Sequence, residues 1–162
     1  MKIDDIHSLF SKSSGISTDT RTIKKNNIFF CLKGEKFDGN LFIDQAFNLG
    51  ASFVIYDEKE LNYKSEKAFK VKNALETLQA LAKHHRSKFN IPVIGLTGSN
   101  GKTTTKELIN SVLSQKFNIT FTSNNFNNHI GVPLTILEIN TKTDLAIIEM
   151  GANHLGEIDL LC

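Results

Sequence analysis

The sequence predicts an α/β protein: a small mixed α/β unit, followed by the start of a parallel-sheet, ATPase-like domain built on a phosphate-binding loop (P-loop). Three observations carry that expectation. The apolar runs "IPVIGLTG" and "DLAIIEMG" read as strands buried on both faces, the pattern of a parallel sheet. From Ile91 onward strands and helices alternate, the order that builds parallel crossovers. The first run also leads through "TGSNGKTT" straight into a helical stretch, the context a phosphate-binding loop requires.

The elements before residue 90 are short. A helix is expected near Lys2–Ser11, then "STDTR", a strand around Ile28–Leu32 and a turn-rich "KGEKFDGN". A helix around Leu41–Leu49 and a strand at Ser52–Tyr56 follow, and "DEKELNYKSEK" reads as exposed loop. Phe69–Val71 is a further short strand. The helix from Asn73 to about Phe89 carries Leu75, Leu78, Leu81 and Ala82 at helical spacing. Lys83, His84, His85, Arg86 and Lys88 collect at its end, which complements the helix dipole and reads as a solvated terminus. After the strand at Ile91, a helix over Lys102–Lys116 is expected to turn Leu108, Ile109, Val112 and Leu113 inward. "NITFT" is the next strand, "PLTILEI" a short helix, "DLAIIEMG" the third strand and "HLGEIDLLC" the start of another helix. That last helix stops after about two turns, and three parallel strands leave large sheet faces uncovered. The expected organisation is therefore a small N-terminal domain over residues 1–88 and the truncated first part of a larger α/β domain over 91–162.

Bulk properties narrow the class. The chain has 162 residues, 40% hydrophobic and 22% charged, which suits a soluble globular protein with a core. A formal charge of +2 with scattered lysines argues against nucleic acid. Only two of the 19 basic residues are arginine, Arg21 and Arg86, a bias that host composition explains. Cys31, inside "IFFCL", reads as a buried thiol, and with Cys162 it fits a reducing compartment. The start "MKIDDIHSLF" is unlike a signal peptide, and no run reaches membrane-spanning length. The expected setting is cytoplasmic, without membrane insertion, and the protein is expected to act as a monomer.

The chemistry concentrates in three stretches. In "GLTGSNGKTTTKE", Gly98 and Gly101 permit the tight, φ-positive backbone of a phosphate cradle, and the following helix adds its N-terminal dipole. Lys102 places a point charge on the β- and γ-phosphates of ATP, and Thr103 offers a hydroxyl to Mg²⁺. Thr97, Gly98, Ser99, Asn100, Gly101, Lys102, Thr103 and Thr104 are the expected nucleotide contacts. The first glycine stands at Gly95, one position before the general pattern G-x-x-x-x-G-K-[ST] puts it. Glu149 closes the strand "DLAIIEM" at its carboxyl end, where open sheets bind ligands. A carboxylate there is costly to desolvate unless it meets a cation, so Glu149 is assigned with Thr103 to Mg²⁺. Lys102 and Glu149 are the expected catalytic pair. The loop "TSNNFNNHIGVP" supplies Asn127, Asn128 and His129, either as polar substrate contacts or as compositional drift. "GANHLGE" sets Asn153 and His154 beside the metal, unless His154 caps the next helix.

Taken together, "TGSNGKTTTKE", "NNFNNHIGVPLTIL" and "IEMGANHLGEI" resemble the Mur ligases, ATP-dependent amide-forming enzymes of peptidoglycan precursor synthesis. In that family the loop reads T-G-[ST]-[NS]-G-K-[ST], with a glycine where Gly95 stands. The version of the metal strand is similar to that of the branch joining D-alanyl-D-alanine to UDP-N-acetylmuramoyl-tripeptide. "STDTRTIKKNNIFFCLKGEKFDGNLFIDQAFNLGA" resembles the family's uridine-diphosphate-binding domain. This likeness implies substrate contacts from Asp19, Thr20 and Arg21, and from Lys33, Gly34 and Asp38 in the "KG…DG" turn. Many members have histidine after that DG, where this chain has Asn40.

The resemblance implies transfer of the γ-phosphoryl group to a substrate carboxylate, giving an acyl phosphate. The amine of D-alanyl-D-alanine then attacks and phosphate leaves. It also implies a carbamylated lysine, a further histidine and an amine-binding C-terminal domain, all beyond Cys162, so that the 162-residue chain does not turn over alone. A related ligase adding lysine or diaminopimelate stays open as an alternative, as does a non-catalytic fragment that binds substrate or ATP.

Overall fold

Parallel pairing dominates the computed structural model, which describes residues 1–35, 37–152 and 154–162. The chain divides into two compact units, Met1–Leu81 and Ala82–Cys162.

The first unit opens with α1 (Ile3–Phe10), a helix with Asp4 and Asp5 in its first turn, where the dipole favours them. Four short strands then form one parallel sheet: β1 (Ile16–Ser17), β2 (Ile28–Phe30), β5 (Phe53–Tyr56) and β6 (Ala68–Lys70), in the order β1-β2-β5-β6. A hairpin of β3 (Lys33–Gly34) and β4 (Phe37–Asp38) follows β2. A 3₁₀ turn over Gly39–Phe42 leads into α2 (Ile43–Asn48). Phe29, Cys31, Ile43, Ala46, Ala51, Val54 and Tyr56 make its core cluster, and Leu61 and Tyr63 pack against it. The polar stretch after β5 is therefore anchored rather than free, because Tyr63 Oη donates to Asp44 and its backbone N–H to Tyr56 Oη. Gly39 approaches its neighbours closely: a Cβ there would lie 2.8 Å from Cys31 Cα and 2.9 Å from Leu32 N and O.

α3 (Ala74–Arg86) begins on two caps. Asn73 Oδ1 accepts from Glu76 N at 3.0 Å, and Asp57 Oδ2 accepts from Ala74 N at 2.9 Å. Its end departs from the expected solvated terminus. His85 is buried, with Nε2 2.7 Å from Ile139 O and its ring edge-on to Phe89. Arg86 donates to Phe89 O at 2.5 Å and to Ile91 O at 3.1 Å, satisfying carbonyls beyond the helix end. Lys83 and Lys88 stay exposed as expected, whereas His85 and Arg86 tie down the segment entering the next sheet.

That sheet holds β7 (Val93–Leu96), β8 (Ile119–Phe121) and β9 (Leu145–Glu149) in the order β7-β9-β8, all parallel. β9 is the buried centre, with Ala146, Ile147, Ile148 and Glu149 all inaccessible. β7 was expected to be buried on both faces, but it alternates exposed and half-buried, and Val93 is 39% exposed. It is an edge strand here, and among the described residues no strand pairs with its outer side. α4 (Lys102–Leu113) lies against β9, α5 (Gly131–Leu137) against β8 and β9, and α6 (Glu157–Leu161) ends the chain. Val132, Ile139, Ala146, Ile148 and Met150 form the core on the α5 side. α4 corrects a second expectation: Leu108 and Val112 are 63% and 68% exposed, and its one buried residue is Lys106. Ile109 and Leu113 are half-buried, so the more buried edge of the helix runs through Lys106, Ile109 and Leu113 and leaves out Leu108 and Val112.

Candidate functional site

In both units the chemistry-bearing loops leave the carboxyl ends of parallel strands, the position at which open α/β sheets bind ligands. In the first unit, Asp19-Thr20-Arg21 follows β1 and the Lys33–Asp38 hairpin follows β2, and the two strands are neighbours. Asp19 Oδ1 accepts from Arg21 N at 2.9 Å, and Asp19 Oδ2 meets Arg21 Nη2 at 2.5 Å. Hydrogen bonds from the Arg21 side chain and backbone hold the Asp19 carboxyl below the usual range, although its guanidinium partner is 87% exposed. Thr20 opens the 3₁₀ turn and is half-buried. Lys33 Nζ reaches Glu58 Oε2 at 2.6 Å and Asp38 Oδ2 at 3.4 Å, next to the exposed Gly34.

Asn40 holds this edge together from beneath. Its Nδ2 donates to Asp38 Oδ1 at 2.8 Å and to Asp57 Oδ1 at 3.2 Å, while its Oδ1 accepts from Asp57 N at 3.2 Å. The "DG" turn, the end of β5 and the start of α3 are thereby linked through one buried amide.

In the second unit the sheet edge gathers the loop 97–101, the loop after β8 and the end of β9. Gly98 (φ 145°) and Gly101 (φ 76°, the N-cap of α4) take the positive angles the loop was expected to need. Lys102 Nζ donates to Gly98 O at 2.5 Å, across the loop. Thr97, Ser99, Asn100, Thr103 and Thr104 are exposed. Gly95 has no positive φ; a Cβ there would meet the tip of the Met150 side chain at 2.9 Å. Its missing side chain makes room for the residue that follows β9 rather than for phosphate.

Side chains alternate along β9, so Ile147 and Glu149 share the face opposite Ala146 and Ile148. Glu149, 1% exposed, lies under α4. Its Oε1 accepts from Thr103 Oγ1 at 3.3 Å and from Asn127 Nδ2 at 2.8 Å. Its backbone N–H donates to Thr122 Oγ1 at 2.9 Å. Oε2 is equally buried and has no hydrogen-bond partner among the described residues. Lys106 Nζ stands 3.7 Å from it, at ion-pair distance but beyond a hydrogen bond. Thr103, Asn127 and Glu149, distant in sequence, thus converge at one carboxylate.

Two other expected contacts, Asn128 and His154, make hydrogen bonds within the fold. Asn128 Oδ1 accepts from Ile130 N and Gly131 N at 3.1 and 2.8 Å and caps α5. His129 is exposed. His154 binds Glu157 through Nδ1 and its backbone N–H, at 3.0 and 3.2 Å, across the start of α6. Asn153 lies outside the described residues.

Comparison with known proteins supplies the family. Residues 12–86 match the family described as "Mur ligase family, catalytic domain", and residues 96–162 match "Mur ligase middle domain". The chain belongs to the Mur ligase family. This Mur ligase chain is 46% identical over 148 residues to the UDP-N-acetylmuramoyl-tripeptide–D-alanyl-D-alanine ligase of Bacillus subtilis, covering 91% of this chain and 32% of the relative. The enzyme of the same name from Escherichia coli is 41% identical over 143 residues, 88% of this chain and 31% of its own length. Among solved structures, MurF ligase from Thermotoga maritima in complex with ADP aligns with a TM-score of 0.82 at 33% identity, over 100% of this chain and 36% of that one. The chain spans about a third of the length of the curated relatives it matches.

Three residues, one at the sheet edge of the first unit and two at that of the second, are not legible from the sequence. Lys106 hides behind the apolar residues that set the expected phase of α4; its position one turn after Lys102 is the available signal. Asp57 lies in a stretch that reads as exposed loop, and nothing local in the sequence marks the start of α3, 17 residues downstream, as its partner. Gly151 carries a signal only in hindsight of the fold: a Cβ there would lie 3.0 Å from Asn127 Cγ, so glycine lets that amide seat against Glu149.

Proposed function

We propose that this chain supplies the UDP-substrate-binding and ATP-phosphate-binding parts of a cytoplasmic, monomeric ligase that adds D-alanyl-D-alanine to UDP-N-acetylmuramoyl-tripeptide. Residues 1–88 carry the nucleotide-sugar peptide, and residues 91–162 begin the ATP domain. The observation that carries the reading is the convergence of Thr103 and Asn127 on Glu149 at the end of the central strand, directly beside a Lys102 loop of the family's register. The names of the relatives support the substrates, and the ADP complex of the Thermotoga maritima structure supports a nucleotide in the loop. Among the described residues no helix is long and apolar enough to cross a membrane, in keeping with soluble substrates.

Mg²⁺ fits the donors present. Glu149 Oε2 is a buried carboxylate oxygen without a hydrogen-bond partner among the described residues, and the Thr103 hydroxyl adjoins the same carboxylate, so both are hard oxygen donors. Thr103 and Glu149 would hold the ion, which supplies charge neutralisation on the phosphoryl group in transfer. Lys102 extends from the first turn of α4, where its ammonium can exchange Gly98 O for phosphate oxygens. Asn127 and Thr122 fix the carboxylate and its backbone, so that the donor set is preorganised before substrate arrives. The acceptor is a carboxylate of the substrate, and no nucleophile from this chain is needed.

Calorimetric titration of the 162-residue chain with ADP and with UDP-N-acetylmuramoyl-tripeptide tests this reading. Both should bind, Lys102→Ala should weaken ADP by about 100-fold, and ATP with D-alanyl-D-alanine should release no phosphate. Failure of either ligand to bind, or turnover by this chain alone, would overturn it.

A further inference from the structure

α4 buries one residue, and it is a lysine. Lys106 is 0% exposed, an arrangement that lysine almost never adopts unless it is paired. Its Nζ donates to Asn124 O at 3.3 Å, lies 3.2 Å from the half-exposed Glu107 Oε1, 3.7 Å from Glu149 Oε2 and 5.8 Å from the centre of the Phe121 ring. Asn124 holds a left-handed backbone (φ 49°), so the carbonyl that receives the ammonium is presented by a specially bent loop. None of these contacts is used by the phosphate-binding reading of the site.

We propose that Lys106 is a positioning residue: an internal counter-ion that makes capture of a divalent cation at Glu149 conditional on nucleotide. The inference rests on the reading of Glu149 as the metal's carboxylate. Two cations compete for one oxygen. The nearer carboxylate of Glu107, at 3.2 Å, is half-exposed and screened by water, so Lys106 is the fixed positive charge that a free divalent ion meets on arriving at the buried Oε2. Lys102, one helical turn earlier, adds a second positive charge at the same sheet edge. A nucleotide brings several negative charges on its phosphates, and only then does a divalent ion restore balance. The lysine thereby favours entry of metal together with nucleotide over metal alone. Burial of its aliphatic stem accounts for folding but not for placing an ammonium at that carboxylate.

The test measures Mn²⁺ binding to the full 162-residue chain by electron paramagnetic resonance, with and without ADP. Lys106→Met keeps the stem and removes the charge. It should bind free Mn²⁺ about tenfold more tightly than the parent, and the gap between ADP-free and ADP-bound affinity should shrink accordingly. Lys106→Arg should retain the parental gap. Glu149→Gln should abolish the gain when combined with Lys106→Met, and it should also restore the melting temperature that Lys106→Met lowers. If Lys106→Met proves insoluble, Lys106→Gln serves for the same comparison. Unchanged free-Mn²⁺ affinity in a folded, charge-free variant would overturn the proposal, leaving Lys106 a packing residue. Loss of ADP binding by the parent chain strikes the ligase reading instead, because the free-metal comparison needs no nucleotide.

Discussion

The carboxyl edges of the two sheets treat buried polar groups in opposite ways. In the first, Asn40 and Asp57 use their side-chain oxygens and amide on each other, on Asp38 and on the N-terminus of α3. In the second, Glu149 keeps one oxygen bonded to Thr103 and Asn127 and leaves the other facing a lysine beyond hydrogen-bond reach. A closed network rigidifies a platform, whereas the second edge leaves one buried carboxylate oxygen without a hydrogen-bond partner among the described residues. The same contrast shows in apolar surface. β2 and the centre of β5 are fully buried, whereas β7, Leu108 and Val112 stay exposed.

That contrast can be broken or sharpened by substitution, beginning with the largest effect. Gly131→Ala should be the most damaging change, because its Cβ would lie 2.4 Å from the carbonyl carbon of Phe126. Overpacking against backbone costs about 3 kcal/mol or more, and chemical denaturation should show the loss with the Asn127 loop displaced; a shift below about 1 kcal/mol would show that this loop is soft. Asn40→Ala comes next. Removing a buried amide with three partners should cost about 2 kcal/mol in a urea titration, and Asn40→Asp should fare no better, since it sets a carboxylate against Asp38 and Asp57. An unchanged midpoint would mean that the closed network contributes nothing to the platform.

His85 provides a pH-dependent handle on the second unit. Burial holds its pKa below the ordinary 6.5, only partly opposed by the bond to the Ile139 carbonyl, and the neighbouring His84 lowers it further. The unfolded chain therefore binds the proton more readily. Its contribution is complete above pH 6.5 and is lost as pH falls through the depressed folded value. Melting temperature should drop between pH 7.5 and 5.5, and His85→Gln should flatten part of that slope; an identical slope in the variant would remove His85 as its source. The smallest effects belong to Gly95→Ala and Leu108→Ser. The first meets only the movable end of Met150, and the second alters a 63% exposed side chain, so thermal melts should place both within about 0.5 kcal/mol of the parent. A large loss from Leu108→Ser would mean that the exposed stripe of α4 is covered in solution.

These contrasts also mark what the sequence made legible. Continuous apolar runs located the longer strands and helical spacing the helices among the described residues, and the Gly98–Thr103 loop announced itself through residues whose backbone freedom and charge are local properties. Edge and centre were not legible for β7, because an apolar run says that a strand prefers burial and not whether a neighbour provides it. The phase of α4 is only half legible for a related reason: Ile109 and Leu113 are half-buried as expected, but Leu108 and Val112 outweigh Lys106 on any hydropathy count, and only the position of Glu149, 43 residues downstream of that lysine, makes it an inward residue. His85 and Arg86 looked like a solvated end because their acceptors, the carbonyls of Phe89, Ile91 and Ile139, leave no trace in side-chain composition.

The fully buried Cys31 gives the first unit a clock. Desolvation pushes its thiol up to about 12, aided by the charges of Asp57 and Asp38, so it resists alkylation while its strand is packed. Cys162, exposed at the other end of the chain, has no such shield. A maleimide dye will mark Cys162 at once and Cys31 only as fast as the first unit opens, which turns two ordinary thiols into a timer for one half of the molecule and a tether on the other.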